Sequence, residues 1–170
     1  MNIIKENIYF NGVLELIKRN KETRKVIKHI KHKNLIMNNT LDELIKAMYN
    51  PDPNMQLKYI AIGDDDTAAA ATQTTLVNEI YRVPIITKLK TGTGEFYVRA
   101  ILNDYQPEDT LGICTIKEVA PFGGSNAQQW NEGAGINTGL MTSRIVLTSP
   151  ESKTDDEEIE LKWTYTLARG

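Results

Sequence analysis

The clearest signal along the chain is strict alternation near its C-terminal end. From Glu157 to Leu167, Ile159, Leu161, Trp163, Tyr165 and Leu167 fall on one face, and Glu158, Glu160, Lys162, Thr164 and Thr166 on the other. Period two of this kind marks a strand with one buried face. Glu95 to Asn103 repeats the pattern, with Phe96, Val98, Ala100 and Leu102 directed at the core. Near the N-terminus, Val13 to Lys18 and Arg24 to Ile30 read as two strands joined by a polar turn, Asn20 to Thr23. The β-branched residues of Arg24 to Ile30 favour a strand over the helix that its isoleucine spacing also permits.

One segment has helical period instead. Leu41, Leu44, Ile45 and Met48 stand at i, i+3, i+4 and i+7, an apolar stripe. Thr40 is the expected N-cap, and Glu43 completes a capping box with it. Asn50-Pro51-Asp52-Pro53 ends the helix, because proline cannot continue it. The helix is expected over about 40–49, covering an open end or one sheet face. The rest reads as strand and loop. Leu57 to Ile62 is a short strand closed by Gly63, and Asp64 to Thr74 a loop. Glu79 to Lys90 is a strand in which Pro84 implies an edge or a bulge. Thr91 to Gly94 is a hairpin turn, and Gly112 to Phe122 an apolar strand. Gly123 to Thr138 is a Gly, Asn and Gln-rich insertion, long enough to suggest a functional or interface loop. Gly139 to Ser149 is a strand, and Pro150 to Asp155 a turn. About seven or eight strands with one short helix predict a mainly β fold, an antiparallel sandwich or barrel.

Composition narrows the class. The 170 residues fit one domain (1–170), 41% hydrophobic and 25% charged. No apolar run approaches the roughly 20 residues that span a bilayer, and no secretory leader pattern opens the chain. Lys and Arg number 20 against 22 Asp and Glu. Neither nucleic acid nor an anionic membrane is therefore expected as the main partner. The balance hides an asymmetry. Residues 1–34 carry nine Lys or Arg against three Glu, while residues 151–170 carry six acids against three bases. The two ends could attract within one fold or between copies.

Candidate chemistry is sparse. Gly63-Asp64-Asp65-Asp66-Thr67 crowds its acids together, whereas calcium loops space their ligands and close with a distant Glu; a solvated turn is expected. His29 and His32, the two histidines, lie three apart on a strand and face opposite sides. Cys114, the single cysteine, sits in an apolar strand with no evident base and reads as a packed hydrophobe. Gly123-Gly124 lacks the Lys-Ser or Lys-Thr pair of a phosphate loop and reads as a strand exit. Glu79 and Arg82 suggest a structural ion pair with neighbouring strands or with another copy. Trp130, in Gln128-Gln129-Trp130-Asn131, is the loop aromatic that could meet a carbohydrate; packing against the loop's base or a neighbouring subunit is favoured. No catalytic residue, metal ligand or cofactor site emerges, and a non-enzymatic protein is expected.

The order of several short motifs adds a resemblance. Lys33-Asn34-Leu35-Ile36 precedes the helix, and Tyr59-Ile60-Ala61-Ile62-Gly63 and Thr75-Leu76-Val77-Asn78-Glu79-Ile80-Tyr81-Arg82 follow. Next come Ile116-Lys117-Glu118-Val119-Ala120-Pro121-Phe122-Gly123-Gly124, Gly139-Leu140-Met141-Thr142-Ser143-Arg144 and Ile159-Glu160-Leu161-Lys162-Trp163-Thr164-Tyr165. Over residues 11–168 this resembles small virion structural proteins of tailed bacteriophages, of the tail or tail-fibre-associated type. Glu118-Val119-Ala120-Pro121-Phe122 replaces a more compact Glu-Val-Gly-Leu-Phe run, and the loop 123–138 is expanded. The resemblance implies a non-enzymatic virion subunit that assembles with other virion proteins and as a symmetric homo-oligomer in the tail, baseplate or head–tail neck. A capsid decoration protein and a carbohydrate-binding host-attachment module are the alternatives. The basic N-terminal hairpin and the 123–138 loop are the expected contact surfaces.

Overall fold

Alternating apolar residues need a second layer to bury against, and the chain supplies one with two antiparallel sheets. The computed structural model describes residues 7–50, 54–130 and 136–169. The first sheet holds β1 (Ile8–Asn20), β2 (Val26–Lys33), β6 (Thr87–Gly92), β7 (Glu95–Leu102) and β11 (Glu157–Arg169), in the order β2-β1-β11-β7-β6. The second holds β3 (Leu35–Ile36), β4 (Leu57–Gly63), β5 (Glu79–Pro84), β8 (Cys114–Gly123), β9 (Leu140–Met141) and β10 (Ser143–Lys153), in the order β3-β10-β8-β4-β5, with β9 beside β8. Their facing sides form one core. Leu14, Leu16, Val98, Ala100, Ile159, Leu161 and Trp163 come from the first sheet. Ile60, Ile62, Tyr81, Val83, Ile116, Val119 and Ile145 come from the second. The expected β-sandwich is therefore the fold, with the helix α1 (Asn38–Lys46) beside it.

The strand count rises to eleven among the described residues because two expected strands each divide and the short β3 (Leu35–Ile36) is added. Glu79 to Lys90 is two strands, not one. β5 ends at Pro84 on the edge of the second sheet, and β6 starts at Thr87 on the edge of the first. Proline lacks the amide that a continuing ladder needs, so the chain changes sheets there. Gly139 to Ser149 also divides, into β9 and β10. The turn expected at Pro150 to Asp155 is shorter than that, because β10 runs on to Lys153 through an irregularity between Val146 and Glu151. A bulge of this sort accommodates Pro150 within a strand.

The capping box is not formed. Met37 occupies the N-cap position without a side-chain cap bond, and α1 spans Asn38–Lys46 rather than 40–49. The Thr40 hydroxyl instead donates to the Thr142 carbonyl at 2.7 Å, inside the protein. Glu43 accepts the Asn54 amide at 3.1 Å. Residues 51–53, the expected helix stop, lie outside the described residues. A second apolar cluster of Met37, Ala61, Leu76, Ala120, Phe122 and Met141 covers the outer face of the second sheet. That sheet is thus buried on both sides.

The charge asymmetry is satisfied within the chain. β1 lies antiparallel to β11 over its whole length, from Ile8 opposite Arg169 to Asn20 opposite Glu157. This brings Arg19 to Glu160 at 2.8 Å, Lys18 to Glu157 at 3.5 Å and Arg24 to Glu158. Arg99 of β7 reaches Glu160 at 2.7 Å. The more exposed of these pairs contribute about 0–1 kcal/mol each, so they favour the register of the sheet more than its stability. Glu15 is the best surrounded of these acids. Burial pushes its carboxyl up, but Lys31, Lys162 and His29 outweigh that and hold it below the usual value.

Candidate functional site

Three long connections leave the sandwich, and each is tied down by a buried charged side chain. The first follows β4. Arg144 of β10 and Glu118 of β8 are fully buried and meet at 2.8 Å. Val146 stands opposite Glu118, so Arg144 is its diagonal neighbour on the same face. Arg144 donates on to the Thr67 carbonyl at 2.9 Å and to the Gln73 side chain at 2.8 Å. Glu118 accepts the amides of Asn78 at 2.9 Å and Val77 at 3.3 Å. The pair therefore supplies hydrogen bonds that the loop 64–78 cannot make for itself. Gly63 is part of the arrangement, since a Cβ there would lie 2.5 Å from Glu118 Oε1.

The second connection is the 123–138 insertion. Arg82 grips Glu79 through two hydrogen bonds, of 2.5 and 2.7 Å, with neither side chain exposed. Its other arm donates to the Gln128 carbonyl at 3.1 Å and the Thr138 carbonyl at 3.0 Å. Glu79 accepts the Asn137 amide at 2.8 Å. The guanidinium also lies 4.6 Å from the Phe122 ring centre, a cation–π contact. The described parts of this insertion are bound to the sheet; residues 131–135 lie outside the description.

The third connection joins β7 to β8. Lys153 is fully buried, and its ammonium donates to the carbonyls of Asp104 and Gly112 at 2.8 Å each and of Thr154 at 3.2 Å. Burial lowers its pKa below that of a free lysine. Gly112 has a φ of +85°, and a Cβ there would collide with the Asp104 carbonyl.

The three tied connections converge. Asp64 from the first, Pro107, Asp109, Thr110 and Ile113 from the third, and Trp130 from the second line one cavity of about 310 Å³. Cys114, Thr115 and Ile80 complete it. Trp130 packs on Tyr81 with ring centres 5.1 Å apart and planes tilted by 55°. The Tyr81 hydroxyl donates to Glu108 at 2.8 Å, and burial, then Glu108, raises its pKa. The Cys114 thiol is pushed up to about 11 by burial, so it stays protonated near neutrality. A protonated thiol is a poor nucleophile.

The remaining residues singled out in the sequence disperse. Asp65 accepts the Thr67 amide at 2.7 Å, and hydrogen bonds from Thr67 lower its pKa. Asp66 faces Lys117 at 3.9 Å. His29 lies 3.1 Å from Glu15, while His32 takes the other side of β2. Among the described residues no three His, Cys, Asp or Glu gather as a metal site. Within the chain, Glu79 and Arg82 pair with each other. Sequence reading missed Glu118, Arg144 and Lys153. Glu118 and Arg144 are charges set beside apolar residues, and that contrast was the available signal; Lys153 follows the polar run 148–152, and no such signal marks it.

At the opposite end of the sandwich a second cavity, of about 340 Å³, opens beside α1. Phe10, Phe96 and Tyr165 stack along it, with centres 5.5 and 5.2 Å apart, and Leu44, Leu57 and Leu167 add aliphatic walls. Along α1 the apolar stripe continues outward, and Ile45 and Met48 are 61% and 83% exposed. No helix among the described residues is long and apolar enough to cross a membrane. Compared with protein-family models, curated proteins and solved structures, the chain matches none.

Proposed function

We propose that this chain is a non-enzymatic structural subunit of a tailed-bacteriophage virion. In this reading it is made in the host cytoplasm and joins the tail, baseplate or head–tail neck through contacts with other virion proteins and with copies of itself. The motif order described above suggests the class. The observation that carries an assembly role is the apolar end. Ile45, Met48 and Tyr49 on and just after α1 are mostly solvent-exposed, next to an open apolar cavity. A contiguous apolar patch of this kind marks an interaction surface. The two surfaces expected from the sequence serve less well. The basic hairpin pairs several of its charges with β11, and Gln128 and Thr138 of the 123–138 insertion are taken up by Arg82.

The test is the double substitution Ile45→Glu and Met48→Glu. Both side chains are exposed, so the thermal midpoint should stay within experimental error of the parent. Incorporation into particles, read by quantitative mass spectrometry of purified virions, should fall at least tenfold. Normal incorporation of the folded double variant refutes the assignment of this surface.

A further inference from the structure

We infer that the cavity beneath Trp130 is a binding site for a neutral saccharide. The inference is independent of the assembly reading, because it concerns the isolated protein and the other end of the sandwich. Four observations carry it.

The first is shape. A cavity of about 310 Å³ falls at the small end of the roughly 300–1,000 Å³ range of ligand sites. The second is the lining. A pyranose ring has an apolar C–H face and a rim of hydroxyls. Here a half-buried indole and the apolar Ile80 and Ile113 provide a surface for the face. Asp64, Asp109 and Thr110 provide acceptors and a hydroxyl for the rim. One side of Trp130 rests on Tyr81, which fixes the indole.

The third observation is charge. Among the described residues, the carboxylic acids lining the cavity are Asp64 and Asp109, and no Lys or Arg lines it with them. Two carboxylates repel phosphates and acidic sugars, and they accept hydrogen bonds from neutral ones. The fourth is rigidity. Each of the three connections that contribute is held by a separate buried charge: Arg144 with Glu118, Arg82 with Glu79, and Lys153. Loops held in place before binding lose less freedom when a ligand arrives.

The experiment titrates the purified protein with maltotriose, chitotriose, lactose and trigalacturonate, followed by calorimetry and by indole fluorescence. At least one neutral probe should bind saturably, and trigalacturonate should not. Trp130→Ala should weaken the binding at least tenfold. Asp109→Ala, at an exposed position that does not threaten folding, should weaken it at least threefold. The inference fails if no neutral probe binds at millimolar concentration. It also fails if trigalacturonate binds as well as the neutral probes, or if Asp109→Ala in a folded protein leaves the affinity unchanged.

Discussion

Arg82→Met should destabilise the protein by about 3–5 kcal/mol, the usual cost of stranding one partner of a buried ion pair. The structure says why the upper range applies to a residue so near a surface loop. Neither Arg82 nor Glu79 has any exposed side-chain area. Removing the guanidinium takes two hydrogen bonds from Glu79, which keeps the Asn137 amide as a partner. It also leaves the Gln128 and Thr138 carbonyls without this donor. For a domain of this size about 1 kcal/mol moves the midpoint by roughly 2–4 °C, so the expected drop is roughly 6–20 °C. Urea unfolding would read the free energy directly. Glu79→Met combined with Arg82→Met removes both charges and should recover most of the loss, since apolar replacement of a whole buried pair is often neutral or better. A loss below about 1 kcal/mol for Arg82→Met would match a surface pair instead and would refute the burial argument. A double variant as unstable as the single one would place the cost in the freed carbonyls, not in the stranded charge.

Two further outcomes follow from other buried polar groups. Tyr165→Phe removes a buried hydroxyl that lies 2.6 Å from Thr142 Oγ1 and 2.8 Å from Ser143 Oγ; unfolding in urea should show a loss of about 1–3 kcal/mol. Burial pushes the Cys114 thiol up from its ordinary value of 9.0 to about 11, so the unfolded chain loses its proton first and stability falls as pH rises from about 9 to 11. Lys153, with its lowered pKa, pulls the other way. The quantity to read is therefore the difference between the parent and Cys114→Ala, in which the effect of burial on Lys153 cancels and what remains is the thiol with its charge coupling to Lys153; a difference in urea midpoint that does not change with pH would refute the account.

The strands were legible where one face is buried and the other wet. β11 and β7 alternate cleanly, and Ile159, Leu161, Trp163, Tyr165, Val98, Ala100 and Leu102 are buried, but Phe96 and Leu167, expected on the same core faces, are 38% and 45% exposed beside the apolar cavity at the sheet's end. Legibility failed where a side chain does tertiary work. Thr40 and Glu43 have the spacing of a capping box, but a hydroxyl drawn inward to Thr142 cannot also cap a helix. The apolar stripe of α1 gave the helix correctly, yet its spacing does not reveal that Ile45 and Met48 face water. The Glu79–Arg82 pair was hidden by geometry. Residues three apart on a strand point to opposite faces. Here Ile62 pairs with Tyr81 and Gly63 with Glu79, so Ile80 is an extra residue. That bulge turns Glu79 onto the face of Arg82. No periodicity announces a one-residue bulge, and so Trp130, Asp64 and Cys114 stood out in the sequence singly, with nothing to show that they line one cavity.

Why three loops should be held by buried charges is the remaining question. Apolar packing could stabilise the sheet face as well, at lower desolvation cost. It could not donate hydrogen bonds to Thr67, Gln128, Thr138, Asp104 or Gly112, whose carbonyls the loops bring inward. Arginine and lysine bring several donors to one buried point. The charges therefore serve loop position more than net stability, and the two can be separated. Glu79→Met with Arg82→Met should fold nearly as well as the parent while its 123–138 insertion is freed from the sheet. Hydrogen exchange at Gln128 and Thr138 should then speed up at least tenfold, against unchanged exchange in β11. If the saccharide site needs a fixed Trp130, this stable variant should also bind neutral sugar more weakly than the parent. Equal affinity in the two proteins would mean that the ion pair serves the sheet and not the site.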